Sequence, residues 1–360
     1  MKYFFIFIIT IHGLIHLMGF AKAYGSAGMT RLTGDISKPA GMVWLAVAIL
    51  FVTTAVLLLL KNDAWWMVGL AAALVSQILI ILAWQDAKFG TVANGIMLVA
   101  AILCFFITGF EKGYRKDVAE NMHTSNALST EILKEADLQA LPGPVQRYLR
   151  YTGAVNKPRV KNMKVTFEVR MRARGKNFAD YTSEQFNFFD DPVRLFFMKG
   201  SMFGLNISGY HRFMKGKATM DIRLLGMVKV VNISGEILDK TETVTLFNDM
   251  CLMAPATLVD KRIKWEEIDS NTCRAIFTNH GITISAVLYF NEKGQLTNFL
   301  SNDRTEVNEM KQYPFTTPVS DYQNLNGINI WTKGEAVYTY PDGKFTYGKF
   351  VLKEIRYNGQ

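Results

Sequence analysis

Four stretches in the first 110 residues, 3–20, 41–60, 64–84 and 91–110, are apolar over a length that can cross a bilayer. A hydrocarbon core of about 30 Å needs roughly 20 helical residues. Inside it a segment must satisfy its own backbone N–H and C=O groups, which restricts such stretches to helices. The connections at 61–63 and 85–90 are so short that successive spans must run antiparallel, and a compact four-helix bundle follows. Trp44, Trp65, Trp66 and Trp84 fall near span ends, where an indole can sit among headgroups. Lys2 before an apolar run, with Ala21-Lys22-Ala23 after it, also fits a secretory signal. Two histidines inside the run, and Ser37-Lys38-Pro39 leading into the next span, favour a retained helix. Lys2, Lys61, Lys112, Arg115 and Lys116 on one side face Lys22, Arg31, Lys38 and Lys88 on the other, a balance too even to orient the chain. The expectation is an integral protein of a bacterial cytoplasmic membrane, with the side of the remaining chain undecided.

Net charge is +9, but acids and bases interleave, so nothing marks a nucleic-acid footprint. The excess suits an anionic lipid surface. Cys104 lies within a span, and Cys251 and Cys273 have no CxxC spacing, which excludes a zinc knuckle and leaves one disulfide open. There is no HExxH, GxSxG or glycine-rich phosphate loop, so no metal and no cofactor is expected.

Residues 111–128 are charged without an apolar period and read as a juxtamembrane linker that can be helical near the bilayer. From 129 the pattern changes. Ser129 can cap a short helix through Ala136, and Pro144 opens a second that ends at Gly153, with Val145, Tyr148, Leu149 and Thr152 on one face. From Lys164 a period of two places Val165, Phe167, Val169 and Met171 on one face of a strand. Strand patterns follow at 183–189, 193–199, 207–213, 218–224, 227–233, 263–268, 273–278, 283–291, 295–301, 328–340 and 345–357. A helical spacing at 242–253 interrupts them. The fold class is therefore membrane α plus α+β: a four-helix transmembrane bundle (1–110), a linker (111–128), and a soluble domain (129–360) built on a large curved antiparallel sheet, a half-barrel with a few helices.

Candidate sites are of three kinds. His12 and His16 share one helix face, and with Gln77 and Asn94 they are the intramembrane polar residues that could bind a metal, relay a proton or hold a quinone headgroup, or bond across helices. Asp221, Arg223, Asp303, Arg304, Asp321 and Glu335 are charged residues in or beside strands that could converge on the concave face as ligand-binding or acid/base groups. Arg170, Arg172, Arg174 and Lys176, at every second position, would face headgroups as a cationic strip while the strand stays extended. Phe186, Phe188, Phe189, Phe196, Phe197, Met198, Met202, Phe203 and Met214 form an adaptable aromatic and methionine cluster.

The run Leu141-Pro-Gly-Pro-Val-Gln-Arg-Tyr-Leu-Arg-Tyr-Thr-Gly153, with Ile222-Arg-Leu-Leu-Gly226, Ala254-Pro-Ala-Thr-Leu258, Trp265, Leu288-Tyr-Phe-Asn-Glu-Lys-Gly294, Asp303-Arg304 and Ser320-Asp-Tyr322, resembles an uncharacterised bacterial domain family. His12-Gly-Leu-Ile-His16-Leu-Met-Gly-Phe-Ala-Lys22 resembles the membrane part fused to it in some members. The family implies no activity. Its soluble part is similar in pattern to the LolA/LolB type of curved half-barrel. The reading that follows is a non-enzymatic, membrane-anchored module holding a membrane lipid or other amphiphile, or a lipidated protein, in its curved sheet. The alternatives are an enzyme acting on a lipid-like or isoprenoid substrate by carboxylate acid/base chemistry, and an envelope interaction protein without ligand.

Overall fold

A computed structural model describes residues 2–25, 33–125 and 131–359 of the chain. Two compact units divide it, Met1–Gly109 and Phe110–Gln360. The first holds α1 (Lys2–Ala23), α2 (Lys38–Leu59), α3 (Trp65–Leu82), the single turn α4 (Trp84–Ala87) and the first part of α5 (Gly90–Thr124), which continues into the second unit. Helices α1, α2, α3 and α5 are each long and apolar enough to cross a membrane. Ser37 caps α2, its side chain accepting from the Ala40 N–H at 3.4 Å, and Pro39 occupies the first turn. Small residues set the α1–α2 approach: a Cβ on Gly13 would lie 2.7 Å from Phe51, and one on Gly19 would run into the Trp44 ring. Trp44 is accordingly buried in the bundle core rather than placed as an interfacial anchor.

After α5 come a 3-10 turn (Glu135–Leu138) and α6 (Gly143–Thr152), which ends at Gly153 in the left-handed region, φ 71°. Ser129 lies outside the described residues. Residues 131–134 are not helical as expected, because Leu133 is buried and exchanges backbone bonds with Asn156 and Lys157. Six strands follow: β1 (Asn162–Met171), β2 (Ala179–Phe188), β3 (Val193–Met202), β4 (Leu205–Met214), β5 (Lys217–Leu224) and β6 (Val228–Ser234). Then α7 (Glu236–Met253) and a 3-10 turn (Pro255–Val259) lead to β7 (Ile263–Asp269), β8 (Thr272–Asn279), β9 (Ile282–Phe290), β10 (Leu296–Ser301), β11 (Thr305–Glu306), β12 (Lys311–Gln312), β13 (Phe315–Thr316), β14 (Val319–Leu325), β15 (Ile328–Tyr340) and β16 (Gly343–Tyr357).

Among the described residues fourteen of these strands form one antiparallel sheet in the order β6-β5-β4-β3-β2-β1-β16-β15-β13-β10-β9-β8-β7, with β14 paired to β15, while β11 and β12 pair with each other. The sheet does not close, since β6 and β7 remain edges. It curls around α7, which packs on β5, β6, β9, β10, β11 and β15. The two arms approach one another where Arg262 donates to the Phe189 carbonyl at 2.7 Å and His280 meets Asp191 at 3.0 Å. One core fills the concave side between sheet, α6 and α7.

A second, smaller core lies on the other face of β2–β4. Tyr114 and Val118 of α5 pack there on Phe188, Val193, Leu195, Phe197 and Tyr210, with Phe110 and Met122 at the margin. The four α5 residues recur every fourth position, one helical face. The stretch expected as a linker therefore contains a docked helix. Its stripe is one apolar residue in four among charges, too thin to stand out before the sheet is present. Burying each large apolar side chain contributes about 1.5–3 kcal/mol. The aromatic and methionine cluster is divided accordingly: Phe186, Phe188, Phe197 and Met214 lie under α5, Phe189 joins the concave core, and Phe203 is exposed.

Candidate functional site

The concave side of β2 is polar where an ordinary sheet core would be apolar, and Arg194 adds a charge to it from β3 beside the apolar Phe196 and Met198. Ser183, Gln185 and Asn187 alternate with Phe186 and Phe188, and the aromatic half of that alternation faces α5, which turns the polar half inward. Arg194 on β3 pairs across with Asn187 and is buried. Opposite stands α7, whose Glu242 and Asp249 lie two turns apart on one face. Arg194 Nε donates to Asp249 Oδ2 at 2.7 Å, Nη1 to Glu242 Oε2 at 3.1 Å and Nη2 to Gln185 Oε1 at 3.2 Å. Gln185 and Asn187 complete the shell of Asp249 at 2.7 and 3.1 Å.

Glu242 Oε1 has no hydrogen-bond partner among the described residues, and His211 Nδ1 stands 3.8 Å away. Burial by itself would raise the Glu242 carboxyl, but His211, Arg194 and Arg304 outweigh it and hold it down at about 2. Burial dominates at Asp249 and pushes its carboxyl up against Arg194 and Asn187. The two acids share one guanidinium, so their ionised forms compete for it.

The rest of α7 is tied down along its length. Lys217 and the Ala218 N–H donate to Asp239 at 2.9 and 2.7 Å, and Asn248 donates to Thr317 at 2.7 Å. At the far end Tyr148, Trp331 and Tyr357 donate to the carbonyls of Cys251, Leu252 and Met253, groups that a helix C-terminus otherwise leaves without partners. The hollow of the half-barrel is therefore filled by a helix, and a cleft lies at each of that helix's ends. A cleft of about 500 Å³ lies beyond the C-terminus of α7, floored by Val160, Pro255, Ala256, Ile328 and Tyr357 and rimmed by Lys157 and Arg356. One of about 250 Å³ lies at the N-terminus, among Ile233, Ile237, Leu238, Val307 and Met310.

The profile of a family of unknown function (DUF6544) matches residues 131–350. The chain belongs to this family. The DUF6544 region thus covers α6, α7 and nearly all of the sheet, including the buried charged layer. No match to curated proteins is found. Among solved structures, the chain is similar to a LolA superfamily protein, NE2245, from Nitrosomonas europaea, at 10% identity and a TM-score of 0.31, over 65% of this chain and 95% of that one.

Within this DUF6544 chain the charged residues singled out from the sequence are not gathered in one pocket. Asp221 and Arg223 pair with each other on β5 at 2.6 Å. Asp303 accepts from Lys240 and from the Ser285 N–H, both at 2.8 Å. Asp321, exposed on β14, pairs with Lys333 at 3.0 Å, and Glu335, half-buried on β15, pairs with Lys349 at 3.5 Å. Of the six, Arg304 alone reaches the interior layer, donating to the Tyr338 hydroxyl with its guanidinium 4.3 Å from the Phe315 ring. The cationic row is interrupted because β1 ends at Met171. Arg170 pairs with Asp180, Arg172 lies over Phe178 and Phe345, and Arg174 pairs with Glu309 and Asp342. Cys104, Cys251 and Cys273 are free thiols, so the disulfide left open by the sequence is not formed.

In the first unit His12, His16, Gln77 and Asn94 do come together, joined by Ser76 and Thr91. His12 Nε2 meets Asn94 Oδ1 at 2.9 Å, and His16 Nε2 meets Ser76 Oγ at 2.8 Å. His16 Nδ1 lies 2.9 Å from the His12 carbonyl, which makes it the protonated nitrogen and leaves Nε2 as acceptor from the serine. Asn94 Nδ2 donates to Ser76 Oγ and Gln77 Oε1, and Gln77 donates to Thr91. No cluster of three metal-ligating side chains exists among the described residues.

Sequence reasoning missed Arg194, Glu242 and Asp249. Two signals are present: an arginine inside an otherwise apolar strand run, and two acids seven residues apart, hence on one face, in a helical segment that also carries Val244, Phe247, Cys251 and Leu252.

Proposed function

We propose that this chain is a membrane-anchored binding module that takes up an anionic amphiphile at the C-terminal end of α7. The carrying observation is the cleft of about 500 Å³, whose floor is apolar and whose rim holds Lys157 and Arg356. That size falls within the usual range for small-ligand sites, roughly 300–1,000 Å³. An acyl or isoprenoid tail would lie on Val160, Pro255, Ala256 and Ile328. A phosphate or carboxylate head would meet the two cations, which are held at the rim by Gly327 and Glu354 and reach solvent. The four candidate spans support the same reading, because they keep the module where such molecules are concentrated. The scattered carboxylates Asp303, Asp321 and Glu335 lend no support to acid/base catalysis.

The test is native mass spectrometry of the full chain in detergent, titrated with phosphatidylglycerol and with phosphatidylcholine. Retention of phosphatidylglycerol is expected, and Ala256→Trp, which fills the floor, should abolish it. Equal retention by Ala256→Trp, or no lipid above detergent background in the parent chain, would overturn the proposal.

A further inference from the structure

The second unit carries a separate apolar surface at the tips of two adjoining turns. Met202 and Leu205 close the β3–β4 turn, Ile207 pairs with Leu224, and the Leu225 N–H donates to the Asn206 carbonyl at 2.8 Å, which sets the β5–β6 turn beside it. Phe203 is 95% exposed, and Leu205, Met227, Val228 and Val230 are exposed with it. Residues 200–206 contain no charge, and 224–231 contain only Lys229. Phe203 also has φ 53°, a conformation that a bulky side chain adopts at a cost and that glycine or asparagine fills readily. Folding of this unit thus gives no account of a phenylalanine there: it is neither buried nor suited to its turn.

The same end of the unit receives the chain from the last apolar span. Phe110, the unit's first residue, has its ring 5.6 Å from that of Phe197 on β3, and the Arg223 guanidinium lies 4.4 Å over it. Glu111 pairs with Lys199 at 2.6 Å. Further along α5, Asn121 reaches Met214, at the opposite end of β4 from Leu205. Followed backwards, the helix therefore runs toward the turn tips, and the residue before Phe110 belongs to a helix apolar enough to cross a bilayer. A surface so placed is within a short covalent reach of lipid, its two turns contain no acidic residue, and it is bordered by Lys229 and by Lys199 and Arg223, which pair with Glu111 and Asp221.

We infer that the β3–β4 and β5–β6 turns insert Phe203 and its apolar neighbours into the headgroup boundary of the bilayer, a second membrane contact independent of the cleft beyond α7. Side chains at such a boundary are buried about 5–10 Å into the headgroup and acyl region, with cations alongside attracted to anionic lipid.

The test uses the full chain with Cys104 replaced by serine, since Cys251 and Cys273 are buried. Spin labels are placed by Phe203→Cys, by Val228→Cys and, on the exposed face of β8, by Ile276→Cys. The chains are reconstituted in phosphatidylcholine vesicles containing phosphatidylglycerol, and collision with oxygen is compared with collision with an aqueous nickel chelate. The expected result is an oxygen-to-nickel ratio severalfold higher at 203 and 228 than at 276. Equal ratios at the three positions would overturn the inference. So would dipolar broadening at 203 that vanishes on dilution with unlabelled chain, which would make a second copy the occupant. Ala256→Trp should leave the ratios unchanged, which separates this contact from lipid uptake in the cleft.

Discussion

The two units bury polar side chains in opposite ways. In the first, the interior network of His12, His16, Ser76, Gln77, Thr91 and Asn94 uses only groups that are neutral or can be neutral, each satisfied by a neighbour on another helix or on its own backbone. In the second, Arg194, Glu242 and Asp249 are ionisable, share partners unequally, and leave one carboxylate oxygen without a hydrogen bond among the described residues. Helices α1, α2, α3 and α5 are candidate membrane spans, and the physics of that setting fits the difference. A helix in lipid gains nothing from hiding apolar surface, so neutral hydrogen bonds and close packing bring helices together. A sheet in water can bury charges if hydrophobic burial around them offsets their desolvation.

That contrast can be broken by experiment. The largest effect is expected from Arg194→Met, which leaves two acids buried without their cation. Stability of the full chain should fall by about 3–5 kcal/mol in chemical denaturation followed through the sheet, and a loss under about 1 kcal/mol would mean the layer is hydrated rather than dry. Next comes Glu242→Gln. The Glu242 carboxyl is held at about 2 against an ordinary 4.5. Its ionised form therefore contributes stability that is complete above 4.5 and is lost as pH falls through 4.5 toward 2. The shift corresponds to about 3 kcal/mol at neutral pH. The variant should lose that segment of the stability-against-pH curve, and an unchanged curve would assign the acid limb to other groups. The smallest effect is expected in the first unit: Asn94→Leu removes the hub of the neutral network and should cost about 1–2 kcal/mol, since single interhelical hydrogen bonds in membranes are modest. Helix-bundle unfolding in mixed micelles measures it. A cost above that of Arg194→Met would reverse the ranking of the two interiors.

Legibility in the sequence differed along the same line. The four spans, the alternation of β1 and the helix opened by Pro144 were readable because each is a local period of hydropathy. Helix α7 was recognised only from Glu242 onward. Its first turns carry Glu236, Asp239, Lys240 and Thr241, which look like a solvated loop until Lys217, Asp303 and Thr305 are brought to them from remote strands. Among the site candidates, His12, His16, Gln77 and Asn94 were found because a polar side chain inside an apolar run is conspicuous. Arg194 does not stand out inside a strand, whereas Asp321 and Glu335 do and lie on exposed and half-buried strand positions, paired with surface lysines.

By itself the sequence determined the elements: bilayer-length helices, a long antiparallel meander, and an interrupting helix, all written in periods of a few residues. Tertiary structure alone decided which face of β2 points inward, that α5 covers the aromatic half of that strand, and that α7 occupies the hollow with its charges against Arg194. The physical reason is that periodicity is set by neighbours along the chain, whereas burial of a charge depends on partners dozens of residues away, which only the folded sheet brings within bonding distance.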